Sequence, residues 1–168
     1  VAVNTTSIST VSVESGLWRS VMSVNIPGST LGTSGVIRAK IPLSRLGTQG
    51  AAAEQRIVGM AQYGTASIFA SIMGKRTIDF KGDISIEIIA ASVASSQKMI
   101  FRGFLNESTA DGLEGNILPS ILSFYKSSIA AQESTSTMAL SISFLNSTGD
   151  GSSSGLGVIT DGYIVEKI

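Results

Sequence analysis

The sequence contains no cysteine and no histidine among its 168 residues. Without cysteine there is no disulfide, no thiol nucleophile and no thiolate ligand for a metal. Without histidine, the commonest general base and the commonest metal ligand are both missing. A Ser-His-Asp triad and a Cys-His pair are therefore excluded. Charge is scarce as well. Asp, Glu, Lys and Arg make up 14% of the chain, against about 25% in an average protein. Twelve basic residues balance twelve acidic ones, so the net charge is zero. Such a chain lacks the basic footprint of a nucleic-acid binder. Near-zero charge also removes a usual defence against association, and an oligomer is expected. No apolar run reaches the length of a transmembrane helix. The segment Val1 to Val13 has no basic residues ahead of an apolar run, so it does not read as a signal peptide.

What is present is alternation. Hydrophobic residues form 43% of the chain, enough for a sizeable core. Ile84, Ile86 and Ile88 alternate with Asp83, Ser85 and Glu87. Met138, Leu140, Ile142 and Phe144 alternate with Thr137, Ala139, Ser141 and Ser143. Met22, Val24 and Ile26 alternate with Val21, Ser23 and Asn25. A period of two sends one face of a strand to a core and the other to water or a partner. The pattern predicts strands over 8–14, 17–26, 35–43, 55–63, 66–73, 83–94, 97–105, 117–129, 136–146 and 157–167. Many short strands without a convincing helix predict an all-β fold, an antiparallel β-sandwich of jelly-roll type. Residues 16–168 are expected to form the sandwich. Residues 1–15 read as an extended arm contacting a neighbouring chain, or as a short edge strand.

Glycine and proline punctuate the strands. Pro27-Gly28, Gly32 and Gly35 mark one turn region, and Lys81-Gly82-Asp83 is read as another. Asp111-Gly112 and Glu114-Gly115-Asn116 mark a mid-chain loop. Gly50 to Glu54, with three alanines, reads as a helical turn or a loop. Asn146 to Gly157 is too polar and Gly-rich to pack and is expected to be a surface loop.

No motif for chemistry survives inspection. Asp79, Asp83 and Glu87 share one face of a strand, but neighbours four residues apart lie roughly 13 Å apart. They are expected to form a solvated face. Asn146 to Gly151 lacks the spaced acids of a calcium loop. The glycines from Gly28 to Gly35 lack the Lys and the following helix of a phosphate loop. No catalytic residue, cofactor site or metal site is expected, and a hydrolase is the least favoured reading. The candidates for contact with a partner or a glycan are Trp18, Arg19, Tyr63 and Tyr125. Trp18 beside Arg19 at a strand start is the first choice to face a partner.

The run Ile26-Pro27-Gly28-Ser29-Thr30-Leu31-Gly32-Thr33-Ser34-Gly35-Val36-Ile37-Arg38 resembles a pattern in tail-fibre, tail-tip and other virion proteins of tailed bacteriophages. There a strand ends in Ile-Pro, a turn carries Leu-Gly-x-x-Gly, and the next strand opens on an apolar pair and Arg. The physics agrees, because Pro27 ends a strand, Leu31 can plug the core end and Gly32 and Gly35 permit tight turns. Arg56 to Thr65, residues 136–146 and Gly162 to Ile168 are similar to later strands of such domains. The resemblance covers about residues 17–168. It departs at the Ala-rich Gly50–Ala53 and the Ser/Gly loop at 149–157, and it shows no fibrous shaft repeat or coiled coil. The resemblance implies a β-sandwich that forms homotrimers on the virion, as head decoration or as a tail or fibre component. Its partners would be its own copies, other virion proteins and a host surface glycan. The alternative reading is a glycan-binding module of a fibre or of a bacterial enzyme.

Overall fold

A computed structural model describes residues 2–4, 8–12, 17–49, 54–75, 78–93, 95–109, 121–146 and 155–168. The strands are β1 (Ala2–Asn4), β2 (Ile8–Ser12), β3 (Arg19–Ile26), β4 (Val36–Gln49), β5 (Glu54–Tyr63), β6 (Ala66–Lys75), β7 (Ile78–Val93), β8 (Ser96–Thr109), β9 (Ile121–Ala130), β10 (Met138–Asn146), β11 (Gly155–Thr160) and β12 (Tyr163–Lys167). Every pairing is antiparallel.

Two sheets form. The larger runs β1-β12-β4-β7-β8-β9, with β11 joining the far end of β4 and β2 joining β11. The smaller runs β3-β10-β5-β6. The chain thus crosses repeatedly between sheets, and first and last strands become neighbours. That connectivity is the jelly roll, here with β8 and β9 added beyond β7. The expected sandwich is what the alternating residues build.

The inward positions follow the period of two. Ile37, Ala39, Ile41 and Leu43 of β4, Ile84, Ile86 and Ile88 of β7, and Met99, Phe101 and Leu105 of β8 are buried. From the other sheet they meet Met22 and Ile26 of β3, Ile57, Ala61 and Tyr63 of β5, and Leu140, Ile142 and Phe144 of β10. Gly59 sits among them. A β-carbon there would lie 3.2 Å from the rings of both Phe101 and Phe144, so the glycine lets the sheets close. Leu31 is buried in the turn after β3, and that strand ends at Ile26, ahead of Pro27.

Several expectations need correction. Lys81-Gly82-Asp83 is no turn, because β7 runs straight through it. Gly82 has φ of 151°, and a β-carbon would overlap the Phe104 carbonyl oxygen. The glycine therefore marks a close backbone approach inside a strand. Strand β4 does not stop at Leu43 but continues to Gln49. A β-bulge between Leu43 and Leu46 breaks the alternation there. The strand expected at 157–167 is two strands, parted at Asp161 and Gly162. Residues 2–4 and 8–12 pair with β12 and β11 of their own chain as edge strands, which is the second of the two expectations for this segment. The Ala-rich stretch 50–53, most of the Ser/Gly loop and the turn residues 111–116 lie outside the described residues.

Candidate functional site

The two sheets present outer faces of opposite character. On the larger sheet, the register aligns Glu166, Arg38, Glu87, Ile100 and Ser127 in one row across β12, β4, β7, β8 and β9. The next row is Ile164, Lys40, Ser85, Arg102 and Tyr125, and the one after it holds Pro42, Asp83, Phe104 and Ser123. Directly opposed residues share a face, so these side chains form one surface.

Its charges are locked together. Arg38 Nε donates to Glu87 Oε1 at 2.8 Å, and Arg102 Nη2 donates to the same oxygen at 2.7 Å. Arg38 Nη1 lies 3.7 Å from Glu166 Oε1, and Lys40 Nζ lies 3.2 Å from Asp83 Oδ2. Arg102 Nε also donates to Ser85 Oγ at 3.2 Å. Three cations thus meet three anions within these rows, while the exposed Lys81 and Lys98 add two further cations in the same phase of β7 and β8. Each pair involving an exposed partner adds about 1 kcal/mol or less. Glu87 was expected on a solvated face. It does lie on the outer face, yet it is only 8% exposed because two guanidinium groups cover it. Asp83 is exposed, and the side chain of Asp79 lies outside the described residues. Among the described residues no three His, Cys, Asp or Glu side chains are placed to hold a metal ion.

Two aromatic rings stand out of these rows. Phe104 is 54% exposed and Tyr125 58% exposed. Phe104 is the cross-strand partner of Asp83, and Tyr125 is the partner of Arg102. Between the rings lies a shallow depression of about 320 Å³, lined also by Asp83, Ser85 and Arg102.

The smaller sheet is different. One outer row reads Ser20, Ser143, Met60 and Phe69, and the next reads Ser23, Ser141, Gln62 and Ser67. Among the described side chains, this face carries no formal charge. Trp18, one residue ahead of β3, reaches across it to Phe69 on the opposite edge strand. The ring centroids are 6.0 Å apart with the planes tilted by 47°. Trp18 is 38% exposed and Phe69 50%, with Leu17 exposed beside them.

The four sequence candidates therefore scatter. Trp18 and Tyr125 stand on outer faces of different sheets. Arg19 falls in the row of Phe144, Gly59 and Ala70, the inward phase, so it points away from the face that Trp18 covers. Tyr63 is withdrawn as a contact residue: it is 1% exposed, packed between the sheets, and burial pushes its phenol pKa above 10.0. Phe69 and Phe104 were missed. Phe69 sits between inward Ile68 and Ala70, so strict alternation would have placed it outside.

A third feature is an apolar groove of about 270 Å³ lined by residues of β3, β4 and β12. Val24, Ile26, Ile37 and Val165 line it, with Glu166 and Lys167 at its rim. Among the described residues no helix is long and apolar enough to cross a membrane. Comparison of the chain with protein-family models, with curated proteins and with solved structures gives no match in any of the three.

Proposed function

We propose that this chain is a non-enzymatic structural protein of a bacteriophage virion. In this reading it is a surface-exposed β-sandwich that assembles as a homotrimer and serves as capsid decoration or as a tail or fibre component. One observation carries the self-assembly: the outer face of β3, β10, β5 and β6 shows no formal charge among its described side chains, with Trp18 and Phe69 lying across it. Interface centres are depleted of charge and enriched in Trp, Phe and Met, and this face has all three. Burying its described side chains against a copy desolvates no ion. The zero net charge adds no long-range repulsion between copies.

The virion setting draws support from the run Ile26 to Arg38 and from the jelly-roll connectivity, an architecture that viral capsid and lectin domains share. Fold alone does not assign a role, so the test must locate the protein. Immunogold labelling of particles produced by a phage encoding this chain is expected to place gold on head or tail. Particles that remain unlabelled while the antibody detects the chain in the infected lysate would overturn the assignment. A second reading, a glycan-binding module, is favoured by the exposed pair Phe104 and Tyr125 on the other sheet.

A further inference from the structure

The geometry points to a binding site for a neutral saccharide on the outer face of β7, β8 and β9. Phe104 and Tyr125 form its apolar platform, and Arg102, Asp83 and Ser85 read hydroxyl groups. The inference rests on the second reading above, a glycan-binding module, and does not require the virion assignment.

A pyranose has an apolar C–H face and a rim of hydroxyls. It is held where an exposed ring lies beside fixed donors and acceptors. The register supplies that combination. Tyr125 and Phe104 are diagonal neighbours on adjacent strands, a spacing of roughly 7–8 Å. Arg102 stands directly beside Tyr125, and Asp83 directly beside Phe104. The depression of about 320 Å³ lies at the small end of ligand sites, which run from about 300 to 1,000 Å³. It suits one or two sugar units at a surface rather than a long chain in a cleft.

The polar groups are held in place before any ligand arrives. Glu87 and Ser85 fix the Arg102 guanidinium through Nη2 and Nε. A guanidinium has five N–H donors, so most of its donor capacity remains for a ligand. Lys40 engages one oxygen of Asp83, and the carboxylate can accept further bonds, including a pair from a vicinal diol. Anchored groups lose little freedom on binding.

Charge decides between sugar classes. Arg38, Lys40 and Arg102 are matched by Asp83, Glu87 and Glu166. The lining of the depression holds one cation, Arg102, and one anion, Asp83, each already ion-paired, so nothing in it favours a phosphate, a sulfate or a sialic acid. Hydroxyls gain from both the donors and the acceptors, so a neutral sugar is the occupant that fits.

Saturation-transfer difference NMR tests this directly. The neutral probes are the methyl glycosides of glucose, galactose, mannose and N-acetylglucosamine. The anionic probes are N-acetylneuraminic acid and, by phosphorus line broadening, inorganic phosphate. Transfer to ring protons of at least one neutral glycoside is expected. Tyr125→Ala and Phe104→Ala should each weaken binding about tenfold, as loss of a central aromatic contact does. Tyr125→Phe should keep most of it, and Trp18→Ala should leave it unchanged. Both rings are exposed, so the variants are expected to fold, which circular dichroism checks. No transfer to any neutral glycoside by folded protein would overturn the proposal. So would equal transfer in the alanine variants, or a response to the anionic probes alone. Native mass, measured alongside, separates the remaining case: if Tyr125→Ala splits an oligomer, the ring is covered by another copy and the saccharide site is refuted.

Discussion

At Tyr63 a phenol sits between the two sheets, and its burial raises the pKa above the ordinary 10.0. The sign of the consequence is fixed. Between pH 10.0 and the raised value, the unfolded chain has released a proton that the folded chain still holds. Stability then falls as pH rises through that window. Below pH 10.0 both states are protonated and this contribution is constant. Denaturant midpoints measured at neutral pH and above pH 10.0 should show a larger alkaline loss for the native sequence than for Tyr63→Phe. Equal losses would mean that the phenol is not responsible. Tyr63 and Tyr125 also show what a single residue reveals. Tyr63 continues the inward series of Ile57, Gly59 and Ala61, so its burial is written in the phase of its strand. Tyr125 stands in Ile121–Ala130, where serines and a lysine blur the phase. Only its pairing with Arg102 shows that the ring belongs outside.

Among the elements, the pairing of β4 with β7 carries a bulge that hid the length of β4. Leu43 and Leu46 both point inward, with two residues between them where a regular strand has one. Ser44 is the extra residue on the β11 side, and its hydroxyl donates to Asp161 Oδ2 at 2.5 Å, tying the bulge to the corner between β11 and β12. Opposite the bulge, Lys81 alone separates Phe80 from Gly82. The two strands should therefore answer deletion differently. Removing Ser44 restores plain alternation and loses a hydrogen bond, a cost of about 1 kcal/mol. Removing Lys81 turns either Phe80 or the series Ile84, Ile86 and Ile88 to the outside, a loss of about 3 kcal/mol or more. Urea denaturation of the two deletion variants checks this, and similar losses would contradict the phase argument. The regular strands were legible in the sequence because each keeps its period. The end of β4 was not, since a bulge resets the period without a turn residue to announce it, and the start of β7 was not, since Gly82 reads as a turn.

On the scale of the whole molecule, the two outer faces are the functional statement. One is laced with ion pairs, with Phe104 and Tyr125 exposed on it. The other shows no formal charge among its described side chains, with Trp18 over Phe69. Neither was readable from the sequence, because each face is assembled from strands that topology brings together. Glu87 meets Arg38 from 49 residues away and Arg102 from 15. Trp18 meets Phe69 across the width of a sheet. The scarcity of charge in the composition hinted at association but did not say which sheet would take part.

The central claim is that the outer face of β3, β10, β5 and β6 joins copies of this chain. Light scattering of the purified protein at micromolar concentration tests it most directly, with Phe69→Lys measured beside it. Phe69 is exposed in the single chain, so the substitution should leave the fold intact. The native sequence is predicted to give three times 17.4 kDa and Phe69→Lys a folded monomer. A native sequence that stays at 17.4 kDa, or a Phe69→Lys variant that assembles unchanged, would contradict the account.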